Sequence, residues 1–332
     1  MLRRSRRQLL YCLPMAFIKK QLLPLGLIAA AIIGITLPAP GIFMAQLPTQ
    51  VVAVTIIFLI SGLLLRTDDI KAAVGAWPAT IWGCCSILLI TPIIGVAIAI
   101  VLPLDPALKL GVALFCCMPT TLSSGVALTT TARGNVAMAL LLTVVTNLGG
   151  VFIVPFVVTA ALGYVVETTS GIELSATDLL VKLCCVVLLP LAAGKALRCW
   201  LSNWVDVHRG GLAMASNIAL ISVPWMQFSK SSDQLTSLAM TDLLLLVLGS
   251  QLIHAAYLGI NAGACRLLPI DGGERKAVIL LASQKTLPVA VAVIAFLPLN
   301  ADVKGLALIS CVVFHLGQIL VDATIASRWA NE

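Results

Sequence analysis

Cys116-Cys117-Met118-Pro119-Thr120-Thr121-Leu122-Ser123-Ser124-Gly125 and Ser283-Gln284-Lys285-Thr286-Leu287-Pro288 are two runs of small, polar and proline residues set inside apolar segments. Gly111-Val112-Ala113-Leu114-Phe115 leads into the first, and Ala277-Val278-Ile279-Leu280-Leu281-Ala282 into the second. An unpaired backbone group is costly in lipid, so such breaks survive only against protein or a water-filled cavity. Paired interrupted helices at matching places in two halves of a chain point to the site of a secondary transporter.

Composition supports a membrane setting. The chain has 332 residues, 60% hydrophobic and only 11% charged, where a soluble domain carries about 25% charged residues. The reading is an all-α polytopic membrane protein, with lipid around it and no nucleic-acid partner. The formal net charge of +7 belongs to membrane-flanking loops. Ten cysteines occur without C-x-x-C or Cys/His ligand spacing, and buried cysteine packs as a small hydrophobe. No Ser/His/Asp set, phosphate loop or dinucleotide fingerprint appears, so neither an enzyme nor a bound cofactor is expected.

Residues 1–20 form a basic N-terminal flank without an acid. It reads either as the remnant of a transit peptide or as the cytoplasmic flank of the first span. Apolar stretches of about 20 residues, enough to cross a bilayer, fall near 21–37, 48–65, 78–101, 107–131, 135–161, 176–197, 209–228, 241–264, 276–298 and 303–327. With this layout sixteen of the 21 basic residues lie on the side of the N-terminus. Lys109, Lys182, Lys230 and Lys304 lie opposite, and Lys285 is left inside the membrane. The positive-inside bias puts both termini in the cytoplasm, or in the stroma of a plastid. Glu167, Glu173 and Asp178 mark the longest loop, a seam between 21–165 and 166–332. Five spans per half make the second half enter the membrane in the opposite sense. A shift of 165 residues sets Thr120-Thr121-Leu122 against Lys285-Thr286-Leu287, on the fourth span of each half. The expectation is two inverted five-helix repeats with two broken, crossing helices.

Polar residues inside the spans mark the candidate site. A lysine near the bilayer centre costs roughly 2.5–3.5 kcal/mol on insertion scales, so Lys285 reads as functional, or as a structural lysine held by a carbonyl or by Asp322. Thr120, Thr121, Ser123 and Ser124 stand at the first break, where a half-helix N-terminus suits anions and freed carbonyls suit Na⁺; the alternative is capping and close packing. Asn147, with Thr143 and Thr146, lies mid-span on the next helix. Ser283, Gln284 and Thr286 flank Lys285. His315, Gln318 and Asp322 recur at i, i+3 and i+7 on one face of the last span, with Asp322 expected near solvent. His254, alone on an apolar helix, reads as a satisfied interhelical histidine rather than a ligand or proton carrier, and Asp68 and Asp69 as turn residues.

Cys117-Met118-Pro119-Thr120-Thr121-Leu122-Ser123-Ser124, running on to Ala132-Arg133-Gly134-Asn135-Val136-Ala137, resembles the fourth span of the bile acid:sodium symporter family. Ser61-Gly62-Leu63-Leu64-Leu65-Arg66-Thr67-Asp68 is similar to that family's motif after the second span. Phe314-His315-Leu316-Gly317-Gln318 and Ser283-Gln284-Lys285-Thr286-Leu287 resemble its divergent "member seven"-like and plant plastid sodium-metabolite branch. The resemblance implies interleaved panel and core domains, with substrate in the crevice between them. It also implies sodium held by a Ser-Asn pair, fifth-span hydroxyls, and a glutamate with a glutamine in the ninth span. Here Ser124 matches the serine and Gly125 replaces the asparagine. Thr143 and Thr146 match the hydroxyls, and Asn147 is placed to supply the lost amide. Ser283 or Gln284 stands where the glutamate belongs, with Lys285 beside it. Two unit charges about 4 Å apart interact by roughly 4 kcal/mol at an effective dielectric of about 20, so this exchange of anion for cation argues against two-sodium coupling.

The expected function is secondary active transport of a small organic anion by alternating access, in a plasma membrane or plastid envelope. Sodium, at Ser124 and Asn147, or a proton is the coupling ion. Lys285 either binds the anion or replaces sodium as a tethered cation. The rival reading is a transporter-like regulator of ion handling or of a membrane partner that carries no substrate.

Overall fold

A computed structural model describes residues 22–65, 76–121, 124–166, 175–270 and 272–331. All secondary structure among them is helical, in thirteen stretches. These are α1 (Leu22–Thr36), α2 (Pro38–Gln46), α3 (Thr49–Leu64), α4 (Trp77–Val101), α5 (Pro106–Cys116), α6 (Ser124–Thr131) and α7 (Val136–Val166). Then come α8 (Ala176–Lys230), α9 (Ser232–Thr236), α10 (Met240–Leu267), α11 (Gly272–Ser283), α12 (Leu287–Phe296) and α13 (Ala301–Trp329). Six stretches are long and apolar enough to cross a membrane: α4, α7, α8, α10, α11 with α12, and α13. The pair α1 and α2, bent by 98°, makes a seventh if it counts as one span. Helices α3 and α5 are shorter and apolar. The seam at 167–174, the motif at 66–69 and the basic flank at 1–20 lie outside the described residues.

Local chemistry sets the helix ends. The Asp105 carboxylate accepts from the Ala107 N–H at 2.8 Å and Pro106 opens α5, an N-cap followed by the proline best tolerated there. Asn300 caps α13 through the Val303 N–H, also at 2.8 Å. Helix α6 closes with two crossed bonds, from Gly134 N–H to Thr129 O (2.9 Å) and from Arg133 N–H to Thr130 O (3.1 Å). This is a Schellman ending, and it puts Arg133, not the glycine, in the left-handed region at φ 55°.

Two π-turns have a common cause. In α4 the wide turn Ser86–Ile90 precedes Pro92, and in α8 the turn Cys184–Leu188 precedes Pro190. The Thr91 N–H reaches back five residues to Ser86 O, so the next donor in that register would be Pro92, onto Ile87 O. Proline has no N–H. The Ile87 carbonyl is thus left for a side chain.

Helices α3 and α8 pack backbone to backbone. A Cβ on Gly62 would overlap Leu191 O, and one on Gly194 would overlap Leu59 O. Cations from α8 then cap the end of α3: the Lys195 ammonium donates to Leu65 O at 2.9 Å and the Arg198 guanidinium to Leu63 O at 2.6 Å. Both suit the negative end of a helix dipole. The sequence layout leaves a loop between 197 and 209. The chain instead runs on as helix, with one non-helical residue at Leu201 (φ −108°, ψ 15°), and Arg198 pairs with Asp206 across that kink at 3.0 Å.

Helices α11 and α12 occupy the centre of the molecule, with 94% of their most apolar stretch buried. Helix α5 reaches them along α13, where Gly111 lies on the Ala307 backbone and the Phe115 and Phe314 rings stand 5.1 Å apart.

Gly194→Ala should force α3 away from α8 and cost about 1–3 kcal/mol, as overpacking does. Gly210→Ala meets nothing within 4 Å and should be neutral, or stabilising by up to about 1 kcal/mol through helix propensity. Melting of the two variants in detergent separates them; equal melting temperatures would refute the close-contact account.

Candidate functional site

The two interrupted segments meet. The N–H of Thr286, between α11 and α12, donates to the carbonyl of Pro119, between α5 and α6, at 2.9 Å. The Thr120 hydroxyl donates to Leu281 O, and the Thr121 hydroxyl donates to Gln284 Oε1 at 2.8 Å. Thr121 Oγ1 in turn accepts the Gly125 N–H at 3.0 Å. Gly125 is small because a Cβ there would strike Leu281, Thr121 and the Gln284 amide.

Side chains from neighbouring helices close the backbone gaps. From α7, Asn147 Nδ2 donates to Thr120 O at 3.0 Å and to Thr143 O at 2.8 Å. From α13, Gln318 clamps Lys285 on both sides: its Oε1 accepts the Lys285 N–H at 3.0 Å and its Nε2 donates to the Lys285 carbonyl at 2.7 Å. Buried backbone groups of an interrupted helix need such partners.

A cavity of about 260 Å³ opens beside this crossing. Thr121, Ser124, Thr143, Asn147, Thr286 and His315 line one side, together with apolar residues such as Leu140, Val144 and Pro288. Ser61 of α3 and Arg209, Ser216 and Asn217 of α8 face it from the other side. Asn147 Oδ1 and Thr286 Oγ1 are buried without a hydrogen-bond partner among the described residues. Two unsatisfied buried oxygens in residues that line a cavity are costly unless a small shift lets a ligand or an ion use them.

The remaining polar residues turn away from the cavity. The Lys285 amino group donates to Ile87 O at 2.9 Å, the carbonyl freed by the π-turn of α4, and stands 5.7 Å from the Tyr257 ring centroid. Lys285 is fully buried and is absent from the cavity wall. Its partner is therefore a carbonyl, as one sequence reading has it, but of a different helix. Ser283 Oγ accepts from Asn261 Nδ2 at 3.3 Å, and Asn261 Oδ1 accepts from the Ser86 hydroxyl (2.7 Å) and the Trp82 indole (3.1 Å). Thr146 donates only within α7, to Leu142 O at 2.7 Å. Ser123 lies outside the described residues.

Asp322 is fully buried, contrary to the solvated position expected of it, because α13 carries it into the core against α10. Its Oδ1 lies 2.9 Å from His254 Nε2, and its Oδ2 accepts from Gln284 Nε2 at 2.6 Å. His254 is satisfied between helices, as the sequence reading has it, by Ser283 O and Asp322, but it is not the lone polar residue of its helix. His254, Tyr257 and Asn261 recur at i, i+3 and i+7 on α10, the helical spacing that could have revealed this face. Arg209, Ser216 and Asn217 escaped the sequence reading because it placed Arg209 at the membrane-flanking end of the 209–228 span and the other two within lipid-spanning helix.

The sequence matches known proteins over nearly the full length of this chain. Residues 21–331 match the SBF-like CPA transporter family. The chain is 38% identical over 325 residues to the probable sodium/metabolite cotransporter BASS4, chloroplastic, of Arabidopsis thaliana, covering 95% of this chain and 74% of that protein. It is 26% identical over 313 residues to the putative symporter YfeH of Escherichia coli, covering 93% and 92%. Sodium/bile acid cotransporter 7 of Danio rerio is 20% identical over 332 residues, with 93% and 94% covered.

Gln318→Leu should strand both backbone groups of Lys285 at a cost of about 1–3 kcal/mol for each buried group. Melting should fall while helical content by circular dichroism stays unchanged. An unaltered melting temperature would mean the clamp does not hold the break.

Proposed function

The chain belongs to the SBF-like CPA transporter family, and from that premise we propose that it moves a small organic anion through the cavity beside the crossed breaks. The observation that carries this reading is that Asn147 and Thr286 line a cavity shared by two broken helices, and each keeps a buried oxygen, Oδ1 and Oγ1, without a partner among the described residues. The proposed layout has ten crossings in two inverted sets of five, 21–165 and 166–332. Both termini lie on the cytoplasmic or stromal side. The body of α1, α3 and α8 forms one side of the crevice and the crossed helices the other. Rocking one against the other would expose the cavity to each side in turn.

Each wall has a chemical task. Arg209 is the only lysine or arginine among the described lining residues, and a guanidinium suits a carboxylate or sulfonate through paired N–H donors. Hydroxyl, amide and imidazole groups opposite would hold the rest of the molecule. Lys285 points to Ile87 O and away from the cavity, which favours its role as a tethered cation over direct binding of the anion. The oxygens of Ser124, Asn147 and Thr286 are hard donors of the kind Na⁺ takes, and two relatives are named as sodium cotransporters. A single sodium there, with Lys285 in place of a second, is the coupling scheme we infer. The regulator reading draws no support from these relatives.

Melting in NaCl against choline chloride tests the ion. A ligand specific to the folded state stabilises by about 2.7 kcal/mol at a hundredfold excess over Kd. We expect a saturable rise with Na⁺ in the wild type that Asn147→Leu abolishes; a rise equal in choline would overturn the sodium site. In proteoliposomes Arg209→Gln should raise the KM for a transported anion about tenfold, corresponding to about 1.4 kcal/mol, and Lys285→Ala should abolish uptake. Normal kinetics in both variants would overturn the transport scheme.

A further inference from the structure

Behind the cavity lies a cluster that the anion and sodium sites do not use. His254 of α10 is 1% exposed and Asp322 of α13 is fully buried. His254 Nδ1 lies 3.1 Å from the carbonyl oxygen of Ser283, and Nε2 lies 2.9 Å from Asp322 Oδ1. A carbonyl can only accept, so Nδ1 carries a proton. A carboxylate oxygen can meet the other ring nitrogen at this distance only if a second proton lies between them, on Nε2 or on Oδ1. The pair therefore holds one proton more than a neutral imidazole beside a carboxylate. It is neutral as a whole, either as imidazolium and carboxylate or as imidazole and carboxylic acid.

The cluster is joined to the cavity by one residue. Gln284 Nε2 donates to Asp322 Oδ2 at 2.6 Å, while Gln284 Oε1 accepts from Thr121 Oγ1 at 2.8 Å and lies 3.4 Å from Ser124 Oγ. Thr121 and Ser124 line the cavity. Other titratable groups surround the pair on the helices packed against it. Lys285 is at the break, Tyr257 is on α10, His315 is on α13, and Cys116 and Cys117 end α5. The Lys285 amine is committed to Ile87 O and the His315 Nδ1 to Gln318. Lys276, on α11, is tied to Ala132 O and Trp329 O.

We propose that His254 and Asp322 form a proton-binding site of the carrier, linked to the cavity through Gln284. Release of the proton to water turns the neutral pair into a buried anion and removes the bond between Nε2 and Oδ1. A buried anion tightens its hold on donors such as the Gln284 amide and attracts a cation to the cavity side of that residue. The proton and a cavity-bound Na⁺ thus oppose each other across Gln284. Both helices must shift for water to reach the pair, so proton release accompanies a change in the packing of α10 and α13 on the break. The role in transport rests on the function proposed above; the proton count rests only on the hydrogen-bond geometry.

Infrared difference spectra of the full-length protein in lipid, taken between about pH 5 and about pH 8, test the site without any substrate. The wild type should show a carboxyl or imidazolium change that is missing in Asp322→Asn and in His254→Gln. Both variants are first checked for wild-type elution and helicity. Identical spectra in all three would overturn the exchangeable proton. Proteoliposomes loaded with pyranine and offered a panel of labelled carboxylates and sulfonates test the coupling. Anion flux with proton movement in the wild type and without it in Asp322→Asn is the expected result. Flux without proton movement in the wild type would overturn the coupling and leave transport standing. No anion flux at all, with the infrared change intact, would count against the transport reading and leave the proton site established.

Discussion

One backbone hydrogen bond, from Thr286 N–H to Pro119 O, ties the two interrupted helices together at the centre of the molecule. Everything around it follows from the need to satisfy polar groups where water cannot. Asn147 serves the first break from α7, Gln318 serves the second from α13, and Thr120 and Thr121 bridge the two. Each supporting residue comes from a different helix, so the crossing is a property of the whole bundle. It also explains why the most apolar stretch of α11 and α12 is the most deeply buried of the six long apolar spans among the described residues. Such an assembly belongs where protein surrounds it on all sides.

The crossing has two faces with different chemistry. Residues toward the cavity are neutral oxygens, an imidazole and, across the gap, a guanidinium. Residues behind it are charged or able to become so, and each is held by a specific partner: Lys285 by Ile87 O, Asp322 by His254 and Gln284. Buried ionisable groups are stable only with such partners. Gln284 bonds Asp322 behind the crossing and Thr121 at the cavity, which makes it a point where events on one side are felt on the other.

Helix breaks were legible in the sequence because proline and hydroxyl clusters stand out against apolar segments, and residues 117–121 and 284–286 do interrupt their helices. The contact of Asn147 with the first break follows the same logic, whereas the Gln318 clamp on the second was visible only as part of a polar face on the last span. The partner of Lys285 was not legible, since a carbonyl leaves no mark in a sequence unless Thr91-Pro92 is read as a cause of a wide turn. Asp322 was misplaced because distance along a helix from its end does not reveal what packs over it. Arg209 was hidden because it stands at the end of the 209–228 span, where a basic residue reads as a membrane flank; the helix that continues past the kink at Leu201 carries it to the crevice instead.

The wide turn in α4 ties together residues far apart in the chain. Pro92 takes a donor away from Ile87 O, and Lys285 supplies one. Neither residue is comfortable alone: the proline without the lysine leaves a bare carbonyl in the core, and the lysine without the proline meets a carbonyl already in use. Along a lineage the two positions are therefore expected to drift as a pair. A descendant that abandons one must pass through a less stable intermediate, or find another way to fill the gap, before it can abandon the other.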